Sequence, residues 1–409
     1  MFEGEDHSAA LPVKELLRRM AMLLLISGGT GLAAAKFGLT EQQAVASSVF
    51  LAIILGTLFF WNFRLAIAFL GIAVLIFTKS LDMDHFVKEA SLPVILFLVG
   101  MMIVVGALRD FGFFTWIVQS IISIPRITGR KFMAITAAAS ALLACAVDEV
   151  TSIIFISTLI FQVCNRLKLN PAPYLMICVL CTNIGSAGTM MGNPVGIYIG
   201  TKAGLSFADF IRWAFPVMIL TLGSCIAVTM FWFRRDLDEF DVRLKDRMDR
   251  DLSLVPKIQV PYGRGLAVLL LTLVFIALHH TLEQKLHLDP NSILLVAPLT
   301  CAGIIMIIKR DRARHYVEAE VDWWTLLFFM LLFAIAGTLA YTGVTRLMAD
   351  GFTRHFGTNL NVLIPVILAT TAIGSAFVDN VIFVAAFAPI IEALGESVQI
   401  MPLWWALLF

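Results

Sequence analysis

Three carboxylates sit in the middle of apolar sequence: Asp148 and Glu149 in AVDEV (146–150), and Asp379 in FVDNV (377–381). A carboxylate at the centre of a membrane helix costs roughly 2.5–3.5 kcal/mol on insertion scales, so acids placed there are seldom idle. No lysine or arginine lies in the flanking apolar arms to neutralise them. They are expected to be protonated in one state and to hold a cation or face water in another, which is what a proton-coupled carrier needs. Capping of hairpin tips is the alternative role, and the two are compatible.

A second constellation is NIGSAGTMMGNPVG (183–196), four glycines and a proline set inside an apolar run. A broken helix in lipid leaves backbone groups unpaired at several kcal/mol each, so such a break survives where it lines a polar cavity or is satisfied by protein. The spacing predicts a half-helix to about 181, an unwound stretch carrying Thr182, Asn183, Ser186 and Thr189, and a second half-helix from Pro194 capped by Asn193. Free N–H groups and the positive dipole end of the restarted helix would point into the cavity, and exposed carbonyls can ligate a cation. An extramembrane loop joining two short helices is the alternative.

The elements that must hold these groups are membrane helices. The chain has 409 residues, 59% hydrophobic and 14% charged, with mean hydropathy +0.89, where soluble domains are nearer a quarter charged. It reads as an all-α polytopic membrane protein. A net charge of +1 without a basic face gives no nucleic-acid partner. The six cysteines lie in apolar runs without metal-ligand spacing, and the thiols read as core residues. H-E-x-x-H, G-x-S-x-G and P-loop patterns are missing, so no enzyme and no ATP-driven pump is indicated, and no cofactor beyond H⁺ or Na⁺ as coupling ion. The N-terminus reads as an uncleaved first span, not a signal peptide.

Spans are expected near 20–36, 44–62, 65–78, 92–108, 173–200, 209–233, 264–280, 292–308 and 323–341. The regions 132–164 and 361–395 each have a polar centre and arms of about 14 residues, reaching about 21 Å against a core of about 30 Å. That favours re-entrant hairpins; two tight full spans each are the alternative. With the N-terminus cytoplasmic, 22 of the 30 lysines and arginines fall inside, as the positive-inside rule asks. The mixed-charge segment 234–257 reads as a solvated cytoplasmic linker. Trp323, Trp324, Trp404 and Trp405 read as interfacial belt residues, and His279 and His280 as surface residues at an outer helix end.

The chain also repeats. LFLVGMMIVVGALRDFG (96–112) aligns with LFFMLLFAIAGTLAYTG (327–343), placing Gly106 on Gly337 and Gly112 on Gly343. The same 231-residue offset puts Asp148 on Asp379. Five spans plus a hairpin per repeat is an odd number, so the second copy must be inverted, as in many secondary transporters. The organisation expected is residues 1–43 as tail and first span, 44–233 as repeat 1, 234–263 as linker, and 264–409 as repeat 2.

The segments 140–157, 166–210 and 374–391 resemble the ion transporter superfamily, over essentially residues 44–409. The nearest resemblance is to the branch of arsenite permeases, NhaD-type sodium/proton antiporters and the P protein, with a citrate transporter-like domain. The resemblance implies two inverted repeats, scaffold and transport subdomains, a homodimer, and a substrate site between hairpin tips and unwound helices. Carried onto this chain, the site comprises Asp148, Glu149 and Thr151, then Asn183, Gly185, Thr189 and Asn193, then Ser375, Asp379 and Asn380, with Na⁺ at Asp148, Asn183, Asp379 and Asn380. Two departures are Asp-Glu at the first tip, where Asp-Asn is common, and GNPVG where GDPPN is common. Pro171 aligns with Pro402, and the partner of 183–196 would fall beyond Phe409, so the chain is expected to be truncated or to need a complementing piece.

The sequence thus points to a secondary active transporter in a prokaryotic-type plasma membrane, exchanging Na⁺ for H⁺ by alternating access. Efflux of arsenite or antimonite, or transport of an oxyanion or carboxylate, is the second reading. An inactive or partial fragment is the third.

Overall fold

A computed structural model describes residues 12–124, 127–248, 262–289 and 291–409. The start of the predicted N-terminal tail, Arg126, and residues 249–261 of the predicted linker lie outside the described residues. Among the described residues every regular element is helical. The helices are α1 (Val13–Lys36), α2 (Glu41–Phe59), α3 (Arg64–Phe77), α4 (Met83–Glu89), α5 (Leu92–Asp110), α6 (Phe113–Ile122), α7 (Gly129–Ala146), α8 (Glu149–Leu167), α9 (Ala172–Ser186) and α10 (Pro194–Ala203). They continue with α11 (Phe207–Trp232), α12 (Arg234–Met248), α13 (Gly263–Leu286), α14 (Ser292–Ile308), α15 (Trp323–Tyr341), α16 (Val344–Phe356), α17 (Leu360–Ser375), α18 (Asn380–Leu394) and α19 (Met401–Leu408). Eight of the described helices are long and apolar enough to cross a bilayer, or nine if the pair α16 and α17, bent by 119°, counts as one.

Helix boundaries follow the 231-residue offset read from the sequence. The starts of α5, α6, α7 and α8 at 92, 113, 129 and 149 recur as the starts of α15, α16, α17 and α18 at 323, 344, 360 and 380. Gly112 and Gly343 cap the matched helices α6 and α16 with φ of +73° and +81°, a backbone that a Cβ would strain. That requirement explains why this pair of glycines stands out in the sequence.

The chain forms two compact units, and they are not the repeats. Unit 1 joins the chain to Leu92 with Trp323–Leu407, and unit 2 holds Pro93–Asp322 with the last two residues. In unit 1, α15 packs on α2, α3, α4 and α18. A Cβ on Gly337 of α15 would meet Glu89 of α4 at 2.5 Å. In unit 2, a Cβ on Gly106 of α5 would meet Glu320 at 2.7 Å. Glu320 ends the π-helical turn Tyr316–Glu320 and ion-pairs with Arg109 at 2.9 Å. Glu89 and Glu320 are themselves 231 residues apart. Each repeat's glycine therefore seats the glutamate of the other repeat.

Several expectations are corrected. The first hairpin's arms, α7 and α8, have 18 and 19 residues, about 27–28 Å long, and each is long enough to cross. The helix continues because Thr128 caps α7 on the N–H of Lys131, upstream of the apolar run. The arms of the second hairpin, α17 and α18, have 16 and 15 residues and stay short of the core thickness.

The charged segment from 234 is a docked helix as far as Met248, not simply a solvated linker. Leu237, Phe240 and Leu244 of α12 are buried, with Phe240 stacked on Phe132 and Tyr174 donating to the Asp236 carbonyl. Burying such side chains contributes about 1.5–3 kcal/mol each, which outweighs the pull of a charged opposite face toward water. Trp404 is 1% exposed, unlike Trp323 and Trp324, so it is a buried residue and not part of an interfacial belt. His279 is 2% exposed, its Nδ1 hydrogen-bonded to the Ile276 carbonyl, whereas His280 faces outward.

Candidate functional site

In unit 2 the first acidic tip and the broken helix are knitted together. Val147 and Asp148 interrupt the chain between α7 and α8, and Asp148 caps α8. Its carboxylate accepts from the Thr151 amide and the Thr151 hydroxyl, both at 2.7 Å. The Glu149 amide donates to the Gly192 carbonyl at 3.1 Å, and the Thr189 hydroxyl to the Cys145 carbonyl. Asn193 caps α10, accepting from the Gly196 amide at 2.8 Å and donating to the Ser186 hydroxyl at 2.9 Å. Two helix N-termini, of α8 and α10, thus meet at one place with their partial positive ends.

The unwound stretch is shorter than predicted. Helix α9 runs to Ser186, leaving only 187–193 irregular, so Asn183 and Gly185 are helical. Packing explains the extension: α9 lies against α7, and a Cβ on Gly185 would strike the backbone of Ala141. Glycine at 185 is a close-approach residue and not a breaker. Of the predicted residues, Thr151, Gly185 and Thr189 are buried, Asp148, Glu149 and Asn193 are half-buried, and Asn183 is exposed.

Beneath this tip lies a hydroxyl ladder that the sequence reading missed. Ser140 of α7 hydrogen-bonds Thr182 of α9 side chain to side chain, and Ser140 also donates to the Cys178 carbonyl at 3.1 Å. Ser152 of α8 donates to the Ser140 carbonyl at 2.6 Å. All three are fully buried and tie α7, α8 and α9 together. The signal available was one hydroxyl per helix within eight residues or so of a polar break.

The second acidic tip belongs to unit 1 and is built differently. Asp379 caps α18, one oxygen accepting from the Val381 amide at 2.9 Å. The other oxygen lies 3.4 Å from Nη1 of Arg64. Arg64 opens α3, is 5% exposed, and donates from Nη2 to the Thr325 hydroxyl at 3.3 Å. Its guanidinium lies over Trp61 at 4.1 Å and Phe328 at 4.7 Å. The expectation that the midplane carboxylates have no basic partner fails here. The pair joins residues 315 apart in sequence, so it could not be read from the arms. Ser375, at the end of α17, and Asn380, opening α18, flank the tip, half-buried and exposed respectively.

Asp148 differs in this respect. Among the described residues it makes no ion pair, and Arg109 of α5 is committed to Glu320.

The family described as citrate transporter matches residues 49–409. An uncharacterized transporter of Mycobacterium tuberculosis is 33% identical over 322 residues, 77% of this chain and 72% of that protein. The 46 kDa membrane protein of Mycobacterium leprae is 32% identical over 327 residues, with the same shares. The P protein of Homo sapiens is 23% identical over 400 residues, 80% of this chain and 48% of that protein.

Proposed function

The chain belongs to the citrate transporter family, and from that premise we propose that this multi-pass membrane transporter exchanges Na⁺ for H⁺ by alternating access. One observation carries the reading: a half-buried Asp148 without an ion pair among the described residues, whose neighbour Glu149 ties the tip to the irregular stretch 187–193 through its amide. A carboxylate so placed can take a proton or a desolvated small cation in turn. In this reading Asp148 binds the exchanged ion, Glu149 is the neighbouring acid, and Thr151, Thr189 and Asn193 hold the tip and loop in register. Asn183, one helical turn from Ser186, and Gly185, which admits α7, complete this half. Asp379, Ser375 and Asn380 form the corresponding tip in unit 1. The repeats run inverted, the N-terminus is cytoplasmic, the membrane is the prokaryotic plasma membrane, and the protein works as a homodimer.

In proteoliposomes carrying an imposed pH gradient, external Na⁺ is expected to collapse the gradient, and Asp148→Asn to abolish the response. Indifference of the wild-type protein to Na⁺ sinks the antiport reading. A second reading is transport of a carboxylate or oxyanion, favoured by the paired N-termini of α8 and α10, which suit an anion, and by the family description. Citrate or arsenite driving the proton flux in the same vesicles would select it.

A further inference from the structure

Arg64 is absent from every candidate site read from the sequence, yet it is the residue that touches the second acidic tip. A guanidinium stays charged at any pH a cell reaches. It is buried at 5% exposure and held by more than its carboxylate: the Thr325 hydroxyl and the faces of Trp61 and Phe328 each fix it. Such contacts are the usual means of keeping a desolvated cation in place. Arg64, Thr325, Phe328 and Asp379 all belong to unit 1, so the pair sits within one compact body.

We propose that Arg64 is the resident counter-cation of the Asp379 tip, so that this tip stays neutral without taking up an ion or a proton. The proposal rests on the ion-exchange reading and deepens it, because it assigns the exchanged ion to the Asp148 tip alone. The two tips, matched in sequence position, then divide the work. One carries a mobile charge; the other carries a permanent pair. Na⁺ has no reason to bind at Asp379, where a tethered cation already occupies the carboxylate, and the positioning role of Arg64 is to exclude a second ion from the cycle.

The test compares purified wild type, R64Q, R64K, D379N and R64Q/D379N by thermal midpoint in NaCl against choline chloride, and by reversal potential in proteoliposomes. R64Q bares a carboxylate, so its midpoint is expected to rise with Na⁺ beyond the wild-type increment. The excess disappears in R64Q/D379N and in R64K. A merely structural arginine would not create a Na⁺-dependent increment. In transport, each single charge removal is expected to lower flux roughly tenfold or more, as an orphaned buried charge does. The double variant recovers flux with the wild-type reversal potential. The proposal is overturned if D379N alone abolishes the Na⁺ increment of the wild type, or if R64Q responds to Na⁺ no more than wild type. Should R64Q not fold, the double variant decides: recovered with wild-type reversal potential it supports the pair, unrecovered it overturns it. If wild type shows no Na⁺-driven flux, the antiport reading fails while the midpoint comparison still judges Arg64.

Discussion

The two acidic tips occupy equivalent positions, 231 residues apart, and have been solved by different chemistry. Asp148 spends both oxygens on its own helix start through Thr151. Asp379 spends one oxygen on its helix and gives the other to Arg64. The position equivalent to Arg64 in the second repeat is Leu295, so no duplicate of the arginine exists at the matching place. A capped carboxylate and a capped, paired carboxylate look alike in sequence. They differ by a whole charge in what they still require, and that difference separates a group able to exchange ions from one that is already satisfied.

The same divergence appears away from the tips. In unit 2, the Tyr316 hydroxyl donates to Asp110 at 2.8 Å, and Arg312 reaches the same carboxylate at 2.7 Å. At the equivalent positions in unit 1, His85 lies against Tyr341 with ring centroids 3.9 Å apart. The positions in contact are kept, 316 with 110 and 85 with 341, while an ionic cluster in one copy is a tilted ring contact in the other. Backbone geometry is thus repeated more faithfully than side-chain chemistry.

This contrast can be broken experimentally at several points. The largest effect is expected from Asp148→Asn, which should lower Na⁺-driven proton flux by roughly a hundredfold, the scale on which loss of a proton-transferring group acts. Next is Gly185→Ala in unit 2. Its new Cβ meets the Ala141 backbone, which cannot swing aside, so the cost should reach about 3 kcal/mol or more, read as a drop in thermal midpoint. Gly374→Ala, under the second tip, meets the Phe383 ring first, a side chain that can shift where backbone cannot, and should cost nearer 1 kcal/mol. If the two glycines cost the same, the view that the first tip is the more tightly built loses its ground. The smallest effects belong to the side-chain contacts. Tyr316→Phe should cost about 1 kcal/mol for a lost hydrogen bond, since Arg312 still neutralises the part-exposed Asp110 carboxylate, and Tyr341→Ala about 0.5–1.5 kcal/mol for a lost ring contact on a half-open surface. Only the Tyr316→Phe cost should change when Asp110 is also replaced by Asn, a check by double-mutant cycle.

Much of this was legible beforehand. The bounds of α14 and α15 fall where hydropathy alone set them, at 292–308 and 323–341, because apolar runs bounded by charges leave little choice. Asp148, Asp379 and Asn193 are helix caps as their types suggest. What escaped reading depends on partners far along the chain. Arg64 meets Asp379 across 315 residues, Trp404 is buried, and Gly185 reads as a breaker until α7 is laid against it. The docking of α12 was within reach: Leu237, Phe240 and Leu244 recur at helical spacing, but the charges between them drew attention to solubility.

The exchanged glycine and glutamate seats have a consequence for biogenesis. Nearly all of unit 2 is one continuous segment, whereas unit 1 must unite the chain up to Leu92 with a segment that begins at Trp323. At about 5–20 residues per second, the N-terminal helices wait on the order of ten seconds or longer for α15, and until it arrives Glu89 has no Gly337 to rest on. The membrane-inserted N-terminal helices are therefore a half-built body during synthesis. Lesions that weaken the joining of unit 1's two segments should therefore lower the amount of protein assembled, beyond any effect on the finished protein.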